Sequence, residues 1–331
     1  MPSEDASVPS GSRRAQRARR RRTWQRGLLI GLAGALLVSG AAFAVSGPLR
    51  DDDGGAVSRA ATPGAPSTTA AAAPAEPDRP CRTPLNPSDP LRLWIGGDSL
   101  AGSLGPSLGD LTGNSGVVQP VFDARDGSGL LSPEFLNWQK QGREDMLVYN
   151  PEVAVFILGA NDAKTLQEGA ERDPAWRSRY AELVEEMLTV LGGNGRTVFW
   201  VGAPVMADSA YSERVQRVNE VFREVAATHP KATYVDAYSV FSAPDGTFAR
   251  SLPLPSGNVV RVRGADGIHF TPAGGDLLAK TVFDQLDPVC RIMEQAVPGE
   301  VKPTIEAKGS SSAPGTGRSG STATTRASRG G

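Results

Sequence analysis

Three side chains of the sequence are placed to carry out nucleophilic catalysis together. Ser99 follows an apolar run, in the stretch Gly96-Gly97-Asp98-Ser99-Leu100. A hydroxyl on a tight turn at the end of a strand is exposed and acts as a nucleophile when a base lies near it. Asp266 stands three residues before His269, and a carboxylate at this spacing can hydrogen-bond the imidazole nitrogen that faces away from the serine. One of only two histidines therefore lies where a general base is needed.

Ordinary structural roles remain open for the same residues. A serine in the position of Ser99 is also typical of a helix N-cap. The pairing of Asp266 with His269 is also compatible with chance, with Thr271 as the cap of the following helix. Asn161, in Gly159-Ala160-Asn161-Asp162, suits either a turn or the donation of its amide to an oxyanion.

Three further polar residues have simpler expected roles. Asp98 and Asp162 are expected to hold the turns at their strand ends through side-chain hydrogen bonds. His229 precedes a proline at the end of a predicted helix, where a surface position is expected.

The spacing of apolar residues predicts the elements that position these side chains. Five apolar runs have the length and the β-branched or aromatic content of buried parallel strands. Helical patterns separate or follow most of them, so a doubly wound α/β sheet is predicted, with ligands at the carboxyl ends of its strands. A hairpin insertion is expected within residues 241–264. The predicted strands are Leu91–Gly97, Val117–Phe122, Val153–Gly159, Arg196–Ala203 and Ala232–Asp236, and the helices lie around Pro133–Asp145, Pro174–Leu191, Ser209–Thr228 and Pro272–Leu286.

Over about residues 91–288 the chain resembles the SGNH (GDSL-type) hydrolase family. The resemblance rests on Gly-Asp-Ser at the first strand, Gly-x-Asn-Asp at the third and Asp-x-x-His before the last helix. It implies an α/β fold, a flavodoxin-like three-layer sandwich with parallel sheet order 2-1-3-4-5. It also implies that Ser99 is the nucleophile, His269 the general base and then acid, and Asp266 the orienting carboxylate. The oxyanion donors would be Asn161 and the backbone amide of Ser99.

A further oxyanion donor of that family is a glycine amide after the second strand. Gly127 and Gly129 both follow this strand, and we select Gly129. The envelope-associated branch of the family looks similar here, with a small residue, glycine and leucine ahead of Ser132-Pro133-Glu134-Phe135. The run from Arg263 to Thr271 also looks like that branch, whose members are exported or membrane-tethered.

The N-terminal part of the sequence predicts a membrane anchor. Residues 1–26 include eight arginines, and residues 27–47 carry no charge. A helix of 21 residues matches a hydrocarbon core of roughly 30 Å. By the positive-inside rule, a single-pass plasma-membrane protein with a cytoplasmic N-terminus and an extracytoplasmic body is expected. Cleavage after Ala44, which would secrete the body, is the alternative.

The remaining boundaries follow from composition. Residues 48–80 are rich in alanine and proline and predict a disordered linker. Residues 81–296 form the predicted hydrolase domain, and the Gly/Ser/Thr-rich residues 297–331 predict a disordered tail. Residues 81–298 contain 19 basic and 27 acidic side chains. An acidic body argues against binding to nucleic acid, which requires a basic face.

The scarce cysteines and histidines limit the chemistry further. Cys81 and Cys290 are the only cysteines, and both are predicted to lie at the end of the sheet away from the catalytic edge. We expect a disulfide between them in an oxidising compartment, with two unpaired thiols as the alternative. Two histidines leave little room for a metal centre, and no metal or other cofactor is expected.

The expected function is that of a membrane-anchored, extracytoplasmic carboxyl-ester hydrolase with a Ser-His-Asp acyl-enzyme mechanism. Its substrate would be an acyl ester, with an O-acetylated envelope glycan as the candidate. An O-acyltransferase that uses the same triad on envelope polysaccharide is one alternative. A non-catalytic envelope-binding module on the SGNH fold is another.

Overall fold

A computed structural model describes residues 81–166, 169, 173–254 and 257–311 of the 331-residue chain. The chain divides into two units, residues 1–70 and 71–331, and every described residue belongs to the second unit. Among the described residues, no helix is both long and apolar enough to cross a membrane. The predicted basic segment 1–26, anchor 27–47 and linker 48–80 lie outside the described residues, as does the alternative cleavage site at Ala44.

Six parallel strands form the central sheet, in the order β5-β4-β3-β1-β2-β8. The predicted order 2-1-3-4-5 is therefore confirmed, and β8 adds a strand beyond β2 that the sequence analysis did not predict. Strands β6 and β7 pair as the separate antiparallel hairpin expected in the insertion. The strands are β1 Leu91–Gly97, β2 Val118–Ala124, β3 Val153–Ile157, β4 Thr197–Val201, β5 Ala232–Val235, β6 Ser251–Pro253, β7 Val259–Arg261 and β8 Ile305–Glu306.

Helices connect the strands, and four of the seven helices within the described residues begin within a few residues of the predicted positions. The second helix begins at Trp138 rather than near residue 133, because the side chain of Asn137 caps it by accepting from the backbone N–H of Lys140. The helices are α1 Ala101–Gly113, α2 Trp138–Val148, α3 Ala160–Thr165, α4 Pro174–Gly192, α5 Ser209–Ala227, α6 Ala237–Val240 and α7 Pro272–Cys290.

Helix α1 was not predicted, because its four glycines lower helix propensity. These glycines form a surface on which other segments pack closely. A methyl group on Gly105 would lie 2.7 Å from Phe122 on β2, and one on Gly109 would overlap Thr304. Tertiary packing of the glycine face thus stabilises a helix that local propensity disfavours.

Large aromatic side chains fill the core beside the sheet. Phe156 on β3 packs edge-on against Trp200 on β4 and against Trp138 at the start of α2, with ring centroids 5.1 and 5.0 Å apart. The ring of Trp94 on β1 stacks on Phe156 and occupies the space left by Gly96. Trp94, Phe156 and Trp200 are fully buried, so they anchor the strands whose ends carry the polar motifs.

Residues 297–311 form a strap along the outer edge of β2, and this corrects the first part of the disordered tail predicted for residues 297–331. Residues 312–331 lie outside the described residues. Strand β8 pairs in parallel with Val121 and Phe122. Pro120 has no N–H to donate, and the pairing begins only after it. The strap is ordered because it satisfies the hydrogen-bonding groups of an edge strand. The predicted domain boundary at residue 296 is therefore too early.

The predicted disulfide is present between Cys81 and Cys290, whose Cα atoms lie 5.0 Å apart. It joins the segment before β1 to the end of α7. Arg82 adds an ion pair with Glu152, directly before β3. Both links lie at the amino ends of the strands, away from the polar motifs.

Candidate active site

The carboxyl ends of β1, β2 and β3 bring the predicted site residues to one edge of the sheet. Gly97 ends β1 with a φ of 148°, and a side chain there would overlap the carbonyl oxygen of Ile157. This close crossing needs glycine. The chain then turns through Asp98 and Ser99 into α1, so Ser99 stands at the strand end as predicted.

Ser99, His269 and Asp266 form a continuous hydrogen-bonded chain. The Oγ atom of Ser99 lies 2.8 Å from Nε2 of His269. On the other side of the ring, Nδ1 of His269 lies 2.6 Å from Oδ2 of Asp266. The serine and histidine are 170 residues apart in sequence. The fold thus joins a serine hydroxyl, an imidazole and a carboxylate in the arrangement that activates a serine nucleophile.

Asp266 is held as an anion by its hydrogen bonds. Partial burial raises the pKa of this carboxyl, but the bond from the His269 ring and those from the backbone N–H groups of Ile268 and His269 outweigh it. The pKa falls to about 2. An ionised carboxylate in this position can orient the imidazole and would stabilise an imidazolium.

The loop that contains Gly129 is tied to Asn161, which lies in the first turn of α3. The side-chain N–H of Asn161 donates to the carbonyl of Ser128, at 2.9 Å. Asp162 accepts from the backbone N–H of Leu131 and from the hydroxyl of Tyr180. One amide hydrogen of Asn161 thus fixes the loop that contains Ser128 and Gly129, called the glycine loop below. The second amide hydrogen of Asn161 is left for another acceptor. The oxyanion roles of Gly129, Asn161 and the Ser99 amide remain predictions.

Gly129 is closely packed, whereas Gly127 is exposed. A side chain on Gly129 would overlap Oδ1 of Asp162. Gly127 occupies the left-handed region, with a φ of 78°. A Cβ atom on Gly127 would meet only the Phe135 ring, at 3.8 Å. Gly129 is thus the glycine that packs against the first turn of α3, where Asn161 and Asp162 lie.

Asp98 holds the turn after β1 as expected from sequence, whereas the side chain of Asp162 bonds outside its own turn, to Leu131 and Tyr180. Oδ1 of Asp98 accepts from the backbone N–H of Leu100. Burial, together with the negative charge of Asp162, raises the pKa of Asp98 to about 8. Asp98 is therefore protonated at neutral pH and places no negative charge beside Ser99.

Arg263 was not among the predicted site residues, although this arginine supports the loop of residues 264–269, called the catalytic loop below. Its guanidinium is fully buried and donates to the carbonyls of Gly267 and Ile268, which immediately precede His269. A third bond goes to the carbonyl of Val205. The signal available in the sequence was an arginine three residues before Asp266.

The site is open to solvent. The side chains of His269 and Asp266 are 45% and 47% exposed. The Phe135 side chain is 65% exposed beside the glycine loop. The imidazole and the carboxylate of the hydrogen-bonded chain are therefore accessible from solvent.

Other candidate groups lie outside this cluster. His229 pairs with Glu185 through Nε2 at 2.9 Å, before β5 and thus at the opposite end of the sheet. Within the described residues, no group of three or more histidine, cysteine, aspartate or glutamate side chains is arranged to hold a metal ion.

Several solved structures are similar to this chain. A GDSL-like lipase from Bacteroides thetaiotaomicron is 16% identical, with 60% of this chain and 88% of that chain covered and a TM-score of 0.42. An acetylxylan esterase from Geobacillus stearothermophilus is 12% identical, with 59% and 94% covered and a TM-score of 0.44. The C-terminal catalytic domain of peptidoglycan O-acetyltransferase A from Streptococcus pneumoniae is 17% identical, with 65% and 98% covered and a TM-score of 0.41.

No curated protein matches the sequence. Residues 92–285, more than half of the chain, match the model of DUF459, which is described as a protein of unknown function. This stretch contains the hydrogen-bonded serine, histidine and aspartate and both loops beside them. The chain therefore belongs to the DUF459 family.

Proposed function

We propose that this protein is a carboxyl-ester hydrolase that works through an acyl-enzyme on Ser99. The observation that carries the proposal is the hydrogen-bonded chain from Ser99 through His269 to Asp266, with distances of 2.8 and 2.6 Å. Its geometry serves proton transfer from the serine to the imidazole as the hydroxyl attacks a carbonyl.

The first half of the reaction forms the acyl-enzyme. Oγ of Ser99 attacks the ester carbonyl, and its proton passes to Nε2 of His269. The negative oxygen of the tetrahedral intermediate accepts from the amides of Ser99 and Gly129 and from the side chain of Asn161. The imidazolium then gives its proton to the leaving alcohol as the ester bond breaks.

The second half releases the acyl group. His269 removes a proton from water, and the resulting nucleophile attacks the acyl carbonyl on Ser99. The same donors hold the second oxyanion, and the imidazolium returns its proton to Oγ of Ser99 as the carboxylic acid leaves. Asp266 stays ionised throughout, as its pKa of about 2 requires.

The proposed substrate is an O-acetylated glycan of the cell envelope. The openness of the site supports this choice, because nearly half of each catalytic His269 and Asp266 side chain faces solvent. The exposed ring of Phe135 supports it too, since an aromatic face at the rim offers a flat apolar surface for a sugar ring.

The domain is proposed to act outside the plasma membrane, on an uncleaved N-terminal anchor. Support comes from the sequence: eight arginines precede the uncharged residues 27–47, and the Ala/Pro-rich residues 48–80 follow as a tether. An anchored enzyme with such a tether would reach polymers near the membrane surface.

The proposal is tested with an ester panel on the full-length chain and on Ser99→Ala. The panel contains p-nitrophenyl acetate, longer p-nitrophenyl esters and O-acetylated glycans, with acetate release as the readout. We expect hydrolysis of acetyl esters and a loss of at least about 10⁴-fold in Ser99→Ala. Equal rates for wild type and variant would exclude Ser99 as the nucleophile.

Acyl transfer to a glycan hydroxyl is a second candidate, because the open site admits an acceptor as readily as water. Adding a non-acetylated oligosaccharide to the assay distinguishes the two activities by mass spectrometry. Free acetate as the main product supports the hydrolase, and an acetylated oligosaccharide as the main product replaces it with a transferase. Absence of both products with every ester would favour a binding module.

A further inference from the structure

Arg263 is a buried cation in apolar surroundings. Its side chain is completely buried. Three phenylalanine rings surround the guanidinium at 5.1 to 6.0 Å from its central carbon. Its guanidinium bonds to backbone carbonyls and forms an ion pair with none of the carboxylates among the described residues. The rings are those of Phe241, Phe248 and Phe270.

The guanidinium uses its donors to join two segments of chain. Nη1 donates to the carbonyl of Val205 in the loop after β4, at 2.5 Å. Nη2 donates in the other direction, to the carbonyl of Ile268 at 2.7 Å and to that of Gly267 at 3.3 Å. Arg263 therefore connects the loop after β4 to the residue directly before the catalytic histidine.

Two other hydrogen bonds join the catalytic loop to the rest of the domain: the backbone N–H of Ala207 donates to the carbonyl of Gly267, and the guanidinium of Arg250 donates to the carbonyl of Gly264. Neither bond reaches Ile268 or His269, whereas Arg263 donates to the carbonyl of Ile268. The backbone N–H of Gly264 donates to the carbonyl of His269 and closes the loop on itself. The carboxylate of Asp266 also bonds within the loop, to the N–H groups of Ile268 and His269. These bonds give the loop its shape, but they do not fix the distance from its imidazole to Ser99.

We propose that Arg263 is a positioning residue, which sets the distance between His269 and Ser99 by tying the Ile268 carbonyl to the Val205 carbonyl. The planar fork of a guanidinium donates in two fixed directions at once, whereas a lysine ammonium is a point charge on a flexible stem. A buried cation without a carboxylate disfavours folding. If packing were the only role of this position, an apolar side chain among the three phenylalanines would therefore stabilise the fold more than an arginine does.

Arg196 offers a matched control at the opposite end of the sheet. Its side chain is also buried, and its guanidinium donates to the backbone carbonyls of Leu191 and Val190. Replacing either arginine removes a buried cation that bonds to carbonyls. Only Arg263 is connected to the catalytic loop.

The experiment compares Arg263→Lys and Arg263→Ala with the same changes at Arg196 in the full chain. We expect both Arg263 variants to lose roughly 100-fold in kcat for p-nitrophenyl acetate with little change in KM, because misplacement by about 1 Å has such an effect. The Arg196 variants should keep kcat within about threefold, whatever their thermal stability.

Rescue distinguishes positioning from a general loss of structure. Guanidinium chloride at millimolar concentration should restore part of the kcat of Arg263→Ala by occupying the vacated space, and it should not change Arg196→Ala. Wild-type kcat in Arg263→Lys, or a loss of kcat in Arg263→Ala that guanidinium leaves unchanged, would overturn the role. The role rests on the proposed hydrolase function, so a wild-type chain that hydrolyses no ester would overturn that function and this role with it.

Discussion

The pKa values of two carboxyl groups near Ser99 are shifted in opposite directions by their surroundings. Hydrogen bonds from His269 and two backbone N–H groups hold the Asp266 pKa at about 2 against the effect of burial. Burial raises the Asp98 pKa to about 8. At neutral pH the Asp266 carboxylate behind the imidazole is therefore negative, and the Asp98 carboxyl behind the serine is neutral. This separation is what general-base catalysis by His269 requires.

The raised pKa of Asp98 predicts a pH dependence of folding stability. Asp98 has a pKa near 3.9 in the unfolded chain and about 8 in the folded one. Between these values the folded state binds more protons, so stability falls as pH rises. The contribution is up to about 1.4 kcal/mol per pH unit. Asp98→Asn keeps the oxygen that accepts from Leu100 and cannot ionise.

Urea unfolding at pH 5, 6, 7 and 8 measures this effect. The free energy of unfolding of Asp98→Asn should decline less steeply across the series than that of wild type. Buried Asp145, with a pKa raised to about 7 by burial and by Asp123, contributes in the same direction and is unchanged in the variant. Identical slopes for the two proteins would contradict the protonated state of Asp98.

Replacement of Gly129 tests the proposed oxyanion donor. In Gly129→Ala the new methyl would overlap Oδ1 of Asp162, which is fixed by Leu131 and Tyr180. The loop must then move and carry its amide away, so kcat should fall by about 10²–10³. Gly192→Ala is the control, since its methyl would meet only Val198, at 3.8 Å. Wild-type kcat in Gly129→Ala would remove this amide from the mechanism.

Residues whose partners are near in sequence, or at strand ends, could be identified without a structure. Asp266 and His269 are three residues apart, and Ser99 ends the first strand. Arg263 could not be assigned a role, because Val205 lies 58 residues away and only the folded hairpin brings the two together. Asp162 was assigned to a turn, and its bond to Leu131 in the neighbouring loop was not foreseeable.

Secondary-structure elements show the same division between local and long-range information. Strands β1 to β5 were predictable because continuous apolar runs indicate buried parallel strands. The strap of residues 297–311 was not, since its Gly, Pro, Lys and Ser residues have no apolar periodicity. Its order depends on the edge of β2, to which Ala307 and Ser311 donate backbone N–H groups.

The strap also holds the start of the glycine loop. The hydroxyl of Ser311 accepts from the backbone N–H of Asp126 at 2.7 Å. The guanidinium of Arg125 donates to the carbonyls of Gly309 and Lys308. Asp126 lies three residues before Gly129, so the strap connects the edge of the sheet to the proposed oxyanion donor.

Removal of the strap should therefore lower both stability and activity. A chain ending at residue 296 leaves the edge of β2 unpaired, whereas one ending at residue 311 keeps it covered. We expect the shorter chain to lose about 2 kcal/mol, or roughly 4–8 °C in Tm, and to aggregate more readily. Calorimetry and ester hydrolysis compare the two chains. Equal Tm and equal kcat would show that the strap has no structural role.

At the scale of the whole molecule, the basic N-terminus and the acidic body predict an orientation in the membrane. Spheroplasts that express the full chain should retain the protein in the membrane fraction. External protease should digest the domain that contains Ser99. Aspartates in place of Leu36 and Leu37 should abolish membrane association, because charges at the centre of a span are unfavourable by about 2.5–3.5 kcal/mol each.

Two outcomes of that fractionation would contradict the anchored orientation. A domain protected from external protease would place it on the cytoplasmic side. A soluble protein that begins at Val45 would replace the anchor with a cleaved signal peptide, and the enzyme would then be secreted.

Covalent labelling of the full chain with a fluorophosphonate tests most directly whether Ser99 is an activated nucleophile. The reagent phosphonylates a serine whose proton is removed by a neighbouring base, and intact-mass and peptide spectrometry locate the adduct. We predict one adduct, on Ser99, that is absent in Ser99→Ala and forms at least about 100-fold more slowly in His269→Ala. A wild-type chain that is not labelled, or an adduct that persists in Ser99→Ala, would contradict the proposed mechanism.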